Sequence, residues 1–245
     1  MLALGSGWTS RWTATWSVAA TEVVCPVREL TSVPIALCRP VRRFGWRPRQ
    51  RHRPGLQFMQ CTGRHHGFES MAEQRLLLTL DFAGDLFDVV SQPFRLRFDT
   101  DSGWRSHTPD FLAVTRNGIW LFDVRPAGRV GDDDRVCFAA SAEAALAAGW
   151  RYVVVTGWRS HVVSALDTLS SQRRGLTDAL GLQEQLLARA GGGSCAFGDL
   201  VAATSLPAVA RAHALHLLWH RRLGVDLARP LTDRSSVWTA MDGAR

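Results

Sequence analysis

The chain contains no lysine: all 29 of its basic residues are arginine. A GC-biased genome accounts for that, because arginine codons then replace lysine codons. Cysteine is sparse. Cys25, Cys38, Cys61, Cys137 and Cys195 are five in number and none are at CxxC spacing, which argues against a disulfide framework and a zinc ribbon. No run reaches the roughly 18 consecutive apolar residues that a membrane helix needs. The first 27 residues also lack the continuous apolar stretch of a signal peptide, and residues 1–38 are assigned to no domain. Trp8, Trp12 and Trp16 are scattered there among Ser, Thr and Ala, so this segment is left unassigned. Disorder, or a start placed too far upstream, is the expectation for it. A cytoplasmic protein with no membrane partner follows.

What remains is a chain of 245 residues, long enough for a medium domain and a smaller one. Hydrophobic residues make up 46% and charged residues 21%, as in ordinary globular proteins. The formal charge is +7, which favours a polyanionic partner such as nucleic acid. The excess is concentrated at 39–66, where Arg39, Arg42, Arg43, Arg47, Arg49, Arg51, Arg53 and Arg64 occur without a single acid. Pro40, Pro48 and Pro54 oppose a helix there. The segment reads either as an extended arm along a phosphate backbone or as a solvated irregular surface. In the first reading Arg42, Arg43, Arg47, Arg49, Arg51 and Arg53 are the DNA-binding candidates.

The most informative stretch is 107–126. Two short apolar segments, Phe111-Leu-Ala-Val and Ile119-Trp-Leu-Phe, flank Asn117-Gly118, a strong signal for a two-residue hairpin turn. Asp110 then begins one strand and Asp123 ends its antiparallel neighbour, so both carboxyls fall at the same end. Arg125, two residues on, shares a face with Asp123. Two buried acids that close are unfavourable unless a cation joins them. Upstream, 68–82 reads as an amphipathic helix with a Ser70–Glu73 capping box and a stripe of Leu76, Leu77 and Leu80. Glu73 would project toward the core side, or it is a capping residue only.

Residues 89–98 read as one strand with Arg95 and Arg97 outward. Gly131-Asp-Asp-Asp134 reads as a solvated loop or a helix N-terminus, 136–149 as a helix, and 150–156 as a buried strand. A helix between two strands is a crossover, so that last strand should run parallel to a hairpin strand. The expected architecture is α/β, a sandwich around a small mixed sheet over 67–168. Beyond it, 172–240 reads as helices at 176–190, 197–203 and 207–221 with an extended tail or wing at 223–238, resembling a winged helix-turn-helix. His213, His216 and His220 share a helix face without further ligands, and read as core or surface histidines.

Asp110, Asp123 and Glu73 supply the hard oxygen donors that Mg²⁺ takes, and Mn²⁺ can substitute. Such a cation screens phosphate charge and lowers the pKa of a bound water, and a positive side chain at 125 would hold that water or the developing charge. Pro-Asp, a gap, then Asp-x-basic is the pattern of the PD-(D/E)xK nuclease superfamily. Over residues 40–240 the runs Phe68-Glu-Ser-Met-Ala-Glu73, Ser-Gln-Pro93, Thr-Pro-Asp-Phe111, Asp-Val-Arg-Pro126, Gly149-Trp-Arg-Tyr-Val-Val-Val and Leu217-Leu-Trp219 resemble the TnsA-like endonuclease subunit of heteromeric transposases. The resemblance implies a restriction-endonuclease-like domain followed by a winged-helix domain in a bacterial protein. It implies Mg²⁺-dependent nicking of double-stranded DNA at the transposon 5′ ends, with catalytic positions at Glu73, Asp110, Asp123 and Arg125 and Gln92 as a candidate site support. It also implies a DDE-type partner (TnsB-like) and an AAA+ regulator (TnsC-like).

Position 125 departs from that family, which usually has Lys there. Lys is compact and shifts its pKa readily, whereas Arg stays charged. The chain is therefore an active nuclease with a tolerated exchange or a catalytically silent DNA- or protein-binding subunit; the complete loss of lysine favours the first. A stand-alone restriction- or repair-type nuclease of the same fold is a further alternative.

Overall fold

The computed structural model describes residues 1–42 and 54–240. Arg43, Arg47, Arg49, Arg51 and Arg53 lie outside the described residues. The chain forms two compact units, Met1–Gly157 and Trp158–Arg245. The boundary therefore falls earlier than the expected end of the first domain at 168.

The first unit begins with α1 (Trp8–Arg11), β1 (Thr13–Val18), β2 (Thr21–Pro26) and β3 (Cys38–Arg39). It continues with β4 (Gly55–Met59), β5 (Arg64–Phe68), α2 (Met71–Ala83), β6 (Leu86–Ser91), β7 (Phe94–Thr100) and β8 (Gly103–His107). It closes with β9 (Phe111–Thr115), β10 (Gly118–Val124), α3 (Asp132–Ala147) and β11 (Arg151–Val155). One sheet has the order β2-β1-β7-β8, with β3 also on β1, and a second has the order β11-β10-β9-β6. β4 and β5 form a separate hairpin. β10 and β11 are parallel, as a crossover through α3 requires.

Residues 1–38 correct the expectation of disorder, for they build the first sheet. Along β1 the side chains alternate: Trp12, Ala14 and Trp16 are wholly buried, while Thr13, Thr15 and Ser17 face outward. Trp16 packs on Phe94 with ring centroids 4.6 Å apart, and Trp12 on Phe98 at 5.6 Å. These rings share one core with Leu112 and Leu121 of the second sheet and with Ala140, Ala144 and Ala145 of α3. The segment lacks a continuous apolar run because only every second residue has to be apolar in a half-buried strand.

The single strand expected at 89–98 is two strands in two sheets. β6 pairs with β9, whereas β7 pairs with β1 and β8. The chain turns the corner at Gln92, whose φ of 47° is rare for a residue with a side chain. Pro93 follows, and having no N–H it cannot continue the ladder. Part of the expected arm at 39–66 also differs, since 55–68 is the β4–β5 hairpin and Arg64 pairs with Asp88.

α2 starts at the expected cap. Ser70 Oγ accepts the Glu73 N–H at 3.2 Å, and Gly84 ends the helix at a φ of 70°. Its buried stripe is Leu76, Leu77 and Leu78, with Leu80 only partly covered.

The second unit comprises α4 (Ser160–Ser170), α5 (Leu182–Gly191), β12 (Cys195–Ala196), α6 (Phe197–Ala202), α7 (Pro207–Trp219), β13 (Leu223–Val225) and β14 (Ser236–Thr239). Its sheet has the order β12-β14-β13. The helix expected from 176 begins only at Leu182, because Asp178 receives the Leu182 and Gln183 N–H groups, each at 2.8 Å, and fixes the start. The expected tail at 223–238 is the β13–β14 pair. His213 and His216 of α7 and His220 just after it are tethers: His213 meets the Gln183 amide, and His216 and His220 meet the main-chain carbonyls of Gln172 and Arg173. Among the described residues no helix is long and apolar enough to cross a membrane.

Replacing Trp16 by Ala empties the centre of the first core. The expected loss is about 3–5 kcal/mol of unfolding free energy, read by chemical denaturation. Deleting residues 1–38 should abolish the cooperative transition of the first unit.

Candidate active site

The β9–β10 hairpin positions the two aspartates. Phe111 pairs with Phe122, so Asp110 falls opposite Asp123 at the open end. The Asp110 N–H donates to the Phe122 carbonyl at 3.0 Å, and the Val124 N–H donates to Asp110 Oδ2 at 2.6 Å. The turn differs by one residue from the expected Asn117-Gly118. Thr115 pairs with Gly118, leaving Arg116 and Asn117 as the turn, and Gly118 takes the positive φ of 114°. The shift does not change which end carries the acids.

Asp123 is 1% exposed. Its Oδ1 meets His107 Nε2 at 2.7 Å, and its Oδ2 accepts the Tyr152 hydroxyl at 2.7 Å. Burial works against a charge on His107, but its hydrogen bonds to Asp123 and Cys137 and the electrostatic pull of Asp123 outweigh it and hold its pKa at about 10. The imidazolium is thus a cation paired with Asp123. Burial, then the charge and hydrogen bond of Asp123, push the Tyr152 hydroxyl up, so it stays a donor. Neither residue was singled out from the sequence. His107 stands three residues before Asp110, and Tyr152 is the only tyrosine of the chain. What brings Tyr152 to Asp123 is the parallel β10–β11 register, with Leu121 beside Tyr152.

Glu73 is buried at the start of α2. Its Oε1 accepts from Ser70 Oγ and its Oε2 from the Glu69 N–H, both at 2.8 Å. The capping role and the inward position expected for Glu73 therefore coexist. Burial raises its pKa against those hydrogen bonds.

Glu73, Asp110, Asp123 and Arg125 all line one cleft of about 930 Å³, together with His107 and Arg42. Asp110 carries the electrostatic load. Burial first, then the charges of Glu73 and Asp123, push its carboxyl well above the usual carboxylate range. Arg125 does not offset it directly: its Nε lies 3.2 Å from Asp134 Oδ2 and donates to the Arg129 carbonyl at 3.3 Å. Asp134 in turn accepts the Gly131 N–H at 2.9 Å, so the acidic run 132–134 is the first turn of α3.

Gln92 sits behind the cleft, 1% exposed. Its N–H donates to the Asp110 carbonyl at 2.7 Å, and its Oε1 accepts from Arg42 Nε at 2.8 Å. Arg42 also reaches Glu69 at 2.8 Å.

In kind and charge, this donor set fits a hard divalent cation. Its arrangement is less open. Asp123 and Glu73 are each held through both oxygens by protein donors, and among the described residues no three His, Cys, Asp or Glu side chains form a metal-holding group. Asp110, squeezed between two other acids, is the position where added positive charge relieves the most repulsion. Compared with known proteins, the chain matches no family model, and no curated protein matches it significantly.

The His107–Asp123 pair predicts a pH dependence. The folded-state pKa of about 10 exceeds the ordinary 6.5, so the stabilisation is complete below about 6.5 and fades as pH rises toward 10. Unfolding free energy should fall over that window. In His107→Gln the fall should be shallower, and because Asp110 and Glu73 remain in the variant, the difference isolates His107. His107→Ala leaves the Asp123 carboxylate buried with Tyr152 alone, at a cost of about 3–5 kcal/mol near neutral pH by denaturation.

Proposed function

We propose that the first unit is a metal-dependent DNA endonuclease and that the chain is a TnsA-like subunit of a heteromeric transposase, nicking DNA at the transposon 5′ ends. The observation that carries this reading is the convergence of Glu73, Asp110 and Asp123, from three separate stretches, on one cleft where Asp110 is driven far from its ordinary pKa. Strongly perturbed carboxyls in a cleft are candidates for a functional site. The pairing of a mixed β11-β10-β9-β6 sheet with α2 and α3 is consistent with a restriction-endonuclease-like core.

In this reading Glu73, Asp110 and Asp123 would hold a Mg²⁺ or Mn²⁺ ion. Such an ion supplies phosphate charge screening and an acidified water. His107 and Tyr152 fix the orientation of Asp123 through its two 2.7 Å contacts, as outer partners do for metal-binding carboxylates. Arg42 and Arg125, on the cleft wall, attract the phosphodiester and hold its developing charge. Arg125 can do this by charge alone, without transferring a proton.

The helices α5, α6 and α7 followed by β13 and β14, with β12 joining their sheet, support a winged helix-turn-helix assignment for the second unit. We assign to it the contacts with an AAA+ regulator, and to the assembly a DDE-type transposase that cuts the 3′ ends. One observation favours the silent-subunit alternative: Arg125 is engaged by Asp134, and every cleft carboxylate already accepts a protein donor.

The experiment is strand cleavage of transposon-end DNA in Mg²⁺ or Mn²⁺ with the cognate partners present. Asp110→Asn and Asp123→Asn should lower 5′-end cleavage by more than the roughly 10–100-fold typical of outer-shell changes, while the protein stays folded. Normal cutting by both variants would exclude the carboxylate cleft as the catalytic centre. Arg125→Lys should keep or raise the rate.

A further inference from the structure

Beside the carboxylate cleft is a second cleft of about 460 Å³ in the first unit, lined by Thr15, Ser17, Ala20, Arg42, Arg95 and Thr108 among others. Arg42 and Thr108 also line the carboxylate cleft, so the two share a wall. The β1–β7 register puts Thr15 directly opposite Arg95 on the outward face of the first sheet. Arg95 is exposed and has no hydrogen bond or ion pair among the described residues. Its neighbour on that face, Arg97, lies instead 4.5 Å over the Trp104 ring. One acid, Glu22, lines the cleft against the two guanidinium groups.

The far wall is built at a conformational cost. Val18 pairs with Thr21, so β1 and β2 join through Ala19 and Ala20 alone, at φ of 48° and 69°. A two-residue turn with both φ positive is the form that glycine and asparagine favour, and alanine adopts it under strain. Strain of this kind persists where surrounding structure enforces it, and it gathers at binding sites.

The chemistry of the lining selects the ligand. Guanidinium groups with hydroxyls beside them suit the non-bridging oxygens of a phosphate. Among the described residues the one aromatic ring in the lining, Trp16, is fully buried and offers no surface for a base to stack on. The described lining therefore suits a backbone phosphate rather than a base. We propose that it holds a phosphodiester of the DNA flanking the cut site, so that the bound strand runs from the carboxylates past Arg42 to Arg95. This rests on the nuclease reading of the first cleft, and it adds a sequence-independent positioning site on the N-terminal sheet.

The test is the affinity of the full chain for a labelled DNA duplex of random sequence, by fluorescence anisotropy without divalent metal and over a series of salt concentrations. Arg95→Gln should weaken binding about tenfold and lower the slope of log affinity against log salt by about 0.9, the loss of one phosphate contact. Arg95→Lys should retain most of the affinity. Arg97→Gln, on the same face outside the cleft, should bind as wild type does. Wild-type affinity and slope in Arg95→Gln, or equal losses in Arg97→Gln, would overturn the proposal. So would displacement of the duplex by inorganic phosphate at matched ionic strength that depends on Arg95, since the cleft would then be a free-anion site. Because binding is read without metal, a protein that binds through Arg95 yet never cuts would refute the nuclease reading and leave this one standing. A protein that cuts normally as Arg95→Gln and binds unchanged would do the reverse.

Discussion

The first unit depends on how one fold tolerates acids held against each other. Asp110 and Asp123 are fixed opposite one another because β9 and β10 pair in a register that the Phe111–Phe122 contact defines. Glu73 joins them from the start of α2. Two devices make this bearable. Asp123 is clasped by His107 and Tyr152, and Glu73 by Ser70 and the Glu69 amide. Asp110 has the Val124 N–H and an unfavourable field. On the proposed reading, this residue at the wall of the cleft is where a cation would bind.

Both sheets are needed to prepare it. His107 is the last residue of β8 in the first sheet, whereas Asp123 and Tyr152 belong to the second. The chain crosses between sheets at Gln92, whose main chain hydrogen-bonds the Asp110 carbonyl and whose side chain steadies Arg42. Trp12 and Trp16 pack the first sheet into the core that also holds Leu121, two residues from Asp123. The N-terminal segment is thus linked to the site through a continuous core, and the same β1 lines the second cleft.

Features set by local chemistry were legible in the sequence. The capping box at Ser70 and Glu73, the hairpin with its acids at one end, and the parallel crossover through α3 follow from spacing and turn residues. Other features depend on which distant strands become neighbours. The alternation Trp12, Ala14, Trp16 is visible only if period two is sought in place of a continuous apolar run. The corner at Gln92 breaks a stretch whose apolar pattern runs on without interruption. Tyr152 reaches Asp123 only through the β10–β11 register, and His107 only through the packing of one sheet on the other. Arg125 shows the limit of face arguments: it lies just past the end of β10, where alternation no longer governs direction, and Asp134 draws it along the rim.

The central claim is that the Asp110 carboxyl completes a site for a divalent cation. Calorimetric titration of the protein with Mn²⁺ at neutral pH, on wild type and Asp110→Asn, measures it directly. The account predicts one saturable site, since a cation relieves the unfavourable field of Glu73 and Asp123 at Asp110. It predicts that Asp110→Asn abolishes the binding. Equal Mn²⁺ binding by the two proteins, or none by the wild type, would contradict it.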